Sequence, residues 1–196
     1  MSGIYVHIPF CKKACHYCNF HFSTLDNYKD EMVAALKKEI GLRKDETQAP
    51  IETIYFGGGT PSTLSATQIN LLIVEVFAQF NVVASPEITI EANPDDLTLA
   101  YLKAIKEIGI NRLSIGIQSF QDKELNMMNR VHNGKQAVQA VIRAKEFFDN
   151  ISIDLLFGIP DSNFTDWKEN LEIALKLDVP HISSYALPLE PKTALE

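Results

Sequence analysis

Short β-type runs alternate with longer segments of helical period along the whole chain, and nothing else in it constrains the fold so tightly. The candidate strands are Ile4–Ile8, Ile51–Phe56, Glu87–Glu91, Arg112–Ile117, Ile151–Leu156 and Ile182–Tyr185. Several are apolar almost throughout, as in Ile54-Tyr55-Phe56, which is the pattern expected of strands covered on both faces. Between them, helical faces are predicted from Leu25, Tyr28, Met32, Leu36 and Ile40, and from Ile69, Leu72, Ile73, Val76, Phe77 and Phe80. The second of these sits behind a capping box of Ser65 and Gln68, with Leu64 stapling against Ile69. A third face (Leu99, Leu102, Ile105, Ile108) stops at Gly109 in a C′-like position. A short helix is expected over Asp122–Asn129. A fourth face uses Ala137, Val138, Val141, Ile142 and Phe148, and a fifth Trp167, Leu171, Ala174 and Leu175.

Repeated strand-then-helix steps imply a parallel α/β sheet with right-handed crossovers. A closed eight-fold barrel takes about 250 residues, so a chain of 196 suits a (βα)6 partial TIM-type barrel. The doubly wound open sheet is the competing architecture. Residues 1–196 are expected to form a single domain, and the halt at Pro188-Leu189-Glu190-Pro191 suggests that a C-terminal domain is missing.

Charge and composition then exclude classes of function. A net charge of −7 with no local Lys/Arg run gives no footprint for nucleic acid. No apolar stretch is long enough for a transmembrane segment, and Met1-Ser2-Gly3-Ile4-Tyr5-Val6-His7 does not read as a signal peptide. The 3 cysteines cannot close a disulfide framework, and they fall between positions 11 and 18. Such clustering points to a reducing, cytoplasmic setting and a metal or redox role.

Cys11, Cys15 and Cys18 follow directly on the first strand, at the end where parallel α/β folds gather their chemistry. A C-x3-C-x2-C loop can wrap three corners of a cubane iron–sulfur cluster, which normally takes four thiolates, and leave one iron open. Zinc held with His16 or His21 as a fourth ligand is an alternative, as are three metal-free thiols. Gly57-Gly58-Gly59-Thr60-Pro61 ends the second strand without side chains, so a ligand can approach the backbone there, although a tight turn needs the same residues. It matches neither a P-loop nor a dinucleotide fingerprint. Glu91, Gln118 and Ser119 stand at later strand ends, and Asp154 lies inside an otherwise apolar strand, where it needs a partner or a task. Arg130 lies in a polar loop where a solvated arginine is equally natural. His7 reads as a satisfied core histidine; His132 and His181 carry no interpretable signal.

Taken together, Tyr5-Val6-His7-Ile8-Pro9-Phe10-Cys11, the cysteine loop, Phe56-Gly57-Gly58-Gly59-Thr60-Pro61-Ser62, Glu91-Ala92-Asn93-Pro94 and Arg112-Leu113-Ser114-Ile115-Gly116-Ile117-Gln118-Ser119 resemble the radical S-adenosylmethionine (SAM) proteins. The similarity extends through Asp154-Leu155-Leu156-Phe157-Gly158-Ile159-Pro160 to Tyr185-Ala186-Leu187-Pro188, and it is to the subgroup of oxygen-independent coproporphyrinogen III oxidase and its heme-chaperone relative. The resemblance implies a [4Fe-4S] cluster on Cys11, Cys15 and Cys18, with the amino and carboxylate groups of SAM on the open iron. Reduction of the cluster then cleaves SAM to methionine and a 5′-deoxyadenosyl radical. It implies SAM contacts at Tyr5, Gly58 and Glu91. Gly59, Thr60, Gln118, Arg130, Asp154 and Ala186 match positions around a second SAM or the neighbouring cavity in the oxidase. The oxidase has a further cysteine where this chain has Phe20, and it has a longer N-terminal extension. C-x3-C-x2-C-x-F is similar to the chaperone. The resemblance therefore implies heme as a bound ligand, a haemoprotein acceptor and an electron donor such as flavodoxin or ferredoxin; decarboxylation of coproporphyrinogen is the alternative.

Overall fold

The computed structural model describes residues 2–187, 189–191 and 193–195. Met1 and Pro188, which entered the reading of the two chain ends, lie outside them. Six strands form one parallel sheet in the order of the sequence: β1 (Ser2–Ile8), β2 (Ile51–Gly58), β3 (Val82–Ala92), β4 (Arg112–Gln118), β5 (Ile151–Phe157) and β6 (His181–Ala186). The helices are α1 (Lys29–Leu42), α2 (Ala66–Gln79), α3 (Leu99–Glu107), α4 (Asp122–Met127), α5 (Gly134–Lys145) and α6 (Phe164–Leu177). Among the described residues β1 and β6 are the open edges, so the architecture is a (βα)6 partial barrel. No described helix is long and apolar enough to cross a membrane.

The strands are not covered by apolar groups on both faces, as their composition suggests. Val6 and Ile8, Ile54 and Phe56, Ile88 and Ile90, Leu113 and Ile115, and Ile151 and Ile153 pack under the helices as one core. Because side chains alternate across a strand, the intervening residues occupy the other face: Tyr5 and His7, Tyr55, Thr89 and Glu91, Ser114 and Gly116, Ser152 and Asp154. Parallel register pairs Tyr5 with Tyr55, Glu91 with Ser114, and Asp154 with Ser183. The sheet thus has a greasy back and a polar front. His7, expected in the core, belongs to the front and is exposed.

Helix ends follow their local chemistry. Ser65 and Gln68 form the expected capping box, and Leu64 is buried beside it. Gly109 ends α3 at φ 97°, and Ile110 N donates to Ile105 O, the longer bond of a Schellman close. The α1 face differs from expectation. Its helix begins at Lys29, which leaves Leu25 and Tyr28 exposed, and Val33 with Ile40 supplies the buried stripe. Phe77, Leu99, Ile142 and Leu175 are also exposed, because each lies at the margin of its stripe. Below the α4 segment, buried Glu124 accepts from Ser119 Oγ, Ser162 Oγ and Asn170 Nδ2 (2.9 Å for the last), while Asn170 Oδ1 accepts from Phe120 N at 2.7 Å. This network joins the β4–α4 turn, the β5–α6 turn and α6.

Candidate functional site

The cysteine loop leaves β1 and is pinched at its base, where Cys11 N donates to Ser23 O (2.9 Å) and Ser23 N to Pro9 O (2.7 Å). Cys18 N donates back to Cys15 O at 3.2 Å. The rest of its shape comes from other elements. Thr60 N donates to Phe10 O (2.7 Å) and Gly59 N to Ile8 O (2.9 Å), seating the loop on the end of β2. Lys12 reaches Asp95 (2.8 Å) and Asp96 beyond β3. On the far side, Asn129 Nδ2 donates to Ala14 O (2.7 Å), His16 N to Met128 O (3.1 Å) and His16 Nδ1 to Met127 O (2.8 Å).

Behind the thiols lies a small polar chain. Arg130 donates from Nη1 to Cys15 Sγ (3.4 Å) and from Nη2 to Asn93 Oδ1 (2.6 Å) and Gly116 O (2.8 Å). Asn93 Nδ2 donates to Thr60 Oγ1 (3.2 Å), whose hydroxyl donates to Cys11 Sγ (3.5 Å). Glu91 accepts from Tyr55 OH (2.8 Å) and from Gly58 N (3.1 Å). Burial pushes the Glu91 carboxyl above its usual range, and these two donors pull part of the way back. Burial likewise raises the Asp154 carboxyl against hydrogen bonds from Ser183 and Ser114, and it raises the Cys11 and Cys18 thiols. Gly58 holds φ 117°, a conformation that glycine adopts readily.

One cavity of about 240 Å³ is lined by Cys11, Cys15, Cys18, Gly58, Gly59, Thr60, Glu91, Gln118, Arg130 and Asp154. Tyr5 and Ala186 line an adjoining cavity of about 630 Å³. The two cavities share Tyr17, Cys18, Phe20, Gly58, Glu91 and Tyr185. Ser119 points away into the Glu124 network and is structural. Arg130 is held by three partners rather than solvated. His132, silent in the sequence, is buried with Nε2 3.1 Å from Ile117 O, and burial beside Arg130 pushes its pKa down to about 4. Sequence reasoning missed Tyr55, Lys12, Tyr17 and the linking part played by Asn93. Only for Tyr55 was there a signal, a hydroxyl-bearing residue at alternate spacing between Ile54 and Phe56.

The donor set fits an iron–sulfur cubane. Its three thiols face one cavity, and Gly59 leaves the space that a Cβ would take, 2.9 Å from Phe10 O and 3.0 Å from Cys11 Sγ. Among the described residues no three Cys, His, Asp or Glu side chains gather as they do around one ion. Neither His16 nor His21 is among the residues lining the cavity of the thiols.

Comparison with known proteins places these observations. The family described as the radical SAM superfamily matches residues 5–182. Heme chaperone HemW from Bacillus subtilis is 41% identical over 98% of this chain and 52% of its own length; its counterpart from Escherichia coli is 33% identical over 97% and 52%. The chain spans about half the length of these curated relatives. Among solved structures, coproporphyrinogen III oxidase (HemN) from Escherichia coli, described as a radical SAM enzyme, superposes with a TM-score of 0.88 at 29% identity, over 96% of this chain and 44% of that one. Methylornithine synthase shares the fold, with a TM-score of 0.67 at 15% identity over 100% of this chain and 56% of its own. Membership implies a [4Fe-4S] cluster and SAM, and on its matched span of residues 5–182 the chain belongs to the radical SAM superfamily.

Proposed function

We propose that the chain is the cofactor-bearing part of a cytoplasmic heme chaperone, in which Cys11, Cys15 and Cys18 hold the [4Fe-4S] cluster and SAM lies across Gly58 and Glu91. The observation that carries this reading is the single cavity onto which all three thiols, Gly58 and Glu91 open. The bound cluster supplies a low-potential electron to the sulfonium of SAM. The chain's own residues orient the cofactors. Gly58 and Gly59 admit the methionyl part, and Glu91 accepts from ribose hydroxyls with the lone pairs that Tyr55 and Gly58 leave free. A flavodoxin or ferredoxin is the electron donor in this reading.

Glu91→Ala is expected to weaken SAM binding to the cluster-loaded protein by about 1.5–3 kcal/mol, the range for a hydrogen bond to a charged group. That is roughly ten- to hundredfold in dissociation constant, read by equilibrium dialysis. Wild-type affinity in a folded, iron-loaded variant removes Glu91 from the site.

Heme as the ligand is supported by the relatives' names and by the adjoining cavity, whose walls include Tyr5, Phe20, Tyr185, Leu156 and Leu187. Flat aromatic and aliphatic walls suit the face of a tetrapyrrole. Phe20, 74% exposed, lines both cavities where the oxidase has cysteine. The oxidase reading keeps one support, the structural match to HemN. Full-length protein, kept anaerobic with reduced cluster and SAM, is expected to titrate saturably with heme, followed by absorbance, and to leave coproporphyrinogen III intact. Stoichiometric protoporphyrinogen without saturable heme binding establishes the oxidase instead.

A further inference from the structure

We infer that Arg130 is the residue that sets the reduction potential of the cluster, by donating from its guanidinium to the Cys15 sulfur. The inference rests on the assignment of the three cysteines as cluster ligands. It gives Arg130 a different task from the one implied by family resemblance, a place around a second SAM or the neighbouring cavity.

The geometry is specific. Three of the five guanidinium hydrogens are committed, one to Cys15 Sγ at 3.4 Å and two to Asn93 Oδ1 and Gly116 O at 2.6 and 2.8 Å. The two oxygen contacts belong to the ends of β3 and β4, so the cation is anchored from the sheet and cannot follow a moving ligand. Arg130 Nε is buried without any partner. Among the described residues no ion pair between Arg130 and Asp or Glu is found. A buried cation is costly unless an anion compensates it. The anion-capable group within hydrogen-bond reach is the Cys15 sulfur, with Asp95 acting on the guanidinium from farther away.

The distance between them is also fixed from the loop's side. Three consecutive residues before Arg130 grip the cysteine loop around Cys15: Met127 O takes His16 Nδ1, Met128 O takes His16 N, and Asn129 Nδ2 takes Ala14 O. The sulfurs of Cys11 and Cys15 are therefore unequal. Cys11 receives a neutral hydroxyl from Thr60 at 3.5 Å, whereas Cys15 receives a full positive charge. A cubane on three thiolates is already anionic, and reduction adds one more electron beside the guanidinium. Hydrogen bonds to sulfur and net charge both set such potentials. The fixed cation favours the reduced state, so it raises the potential.

The test compares wild type, Arg130→Lys and Arg130→Gln, each reconstituted anaerobically and titrated potentiometrically without SAM, with the reduced cluster followed by EPR. Arg130→Gln is expected to shift the one-electron equilibrium at least tenfold toward the oxidised cluster, which is about 59 mV. Arg130→Lys keeps the charge but cannot make three contacts at once, and a smaller shift in the same direction is expected. SAM affinity for the oxidised cluster is measured beside it. A potential unchanged in Arg130→Gln with full iron, or lost SAM affinity as the sole effect, overturns the inference. If Arg130→Gln does not retain iron, Arg130→Lys decides by the same criterion. Wild type that assembles no cluster overturns the ligand assignment beneath it, and that result is visible before any variant is made.

Discussion

Cys15→Ala is expected to leave the reconstituted protein without its cluster. A cubane needs about four irons held by thiolates, and two remaining cysteines bind two corners with nothing to replace the third. The loss is expected to be nearly complete, below about a tenth of wild-type iron and sulfide, with no reduced-cluster EPR signal. The fold is expected to survive, because all three cysteines are only half-buried and the core lies on the opposite face of the sheet. Far-UV circular dichroism and iron analysis on the same sample separate the two effects. Wild-type iron in Cys15→Ala, or one tightly bound zinc and no iron in the unmutated protein, overturns the assignment.

The largest effect on stability is expected at Glu124, a residue with no part in the site. Its carboxylate accepts from Ser119, Ser162 and Asn170, and alanine strands Asn170 Nδ2 in the interior, while the Ser119 hydroxyl keeps Asn170 Oδ1 at 3.2 Å. A buried donor without an acceptor costs about 1–3 kcal/mol. Glu124→Ala is therefore expected to lose about 1–3 kcal/mol of unfolding free energy in urea, the cost of one stranded buried donor. Glu124→Gln keeps one acceptor oxygen and is expected to lose less. A change below about 1 kcal/mol in the alanine variant shows that the network is solvated in the native state.

Much of this architecture was legible because strands and caps are local. The candidate runs marked all six strands, and each proved longer than its run; in β4, polar Gln118 continues the backbone pairing without adding to the hydrophobic pattern. Ser65 and Gln68 announced the start of α2 because a capping box needs only residues three apart. The boxes at Asn133/Gln136 and Asn163/Asp166 carried a related signal and went unread. Other features were illegible for a physical reason. Glu124 looks like any acidic residue in a short helix, and its burial depends on a turn some 40 residues later closing over it. Family resemblance placed Glu91 and Gly58 near one ligand, but only the fold shows them bonded to each other, leaving a smaller share of Glu91 for the ribose. His7 was misplaced because a strand at the edge of an open sheet has a front that no neighbour covers.

The cysteine loop belongs to the first 18 residues of the chain, yet its shape is imposed by Thr60, Asp95, Asn129 and Arg130. During synthesis the three cysteines emerge before the groups that shape their loop. Until Arg130 has left the ribosome, the three thiols sit on a strand whose loop has no fixed form, exposed to oxidation or stray metal. On the proposed ligand assignment, cluster insertion is expected only after β4 and the α4–α5 turn have docked, because distant contacts must close before the loop is ordered. A pulse of iron–sulfur donor given to stalled chains ending before residue 130, and to chains ending far enough beyond it for Arg130 to be clear of the ribosome, would find loading only in the longer ones.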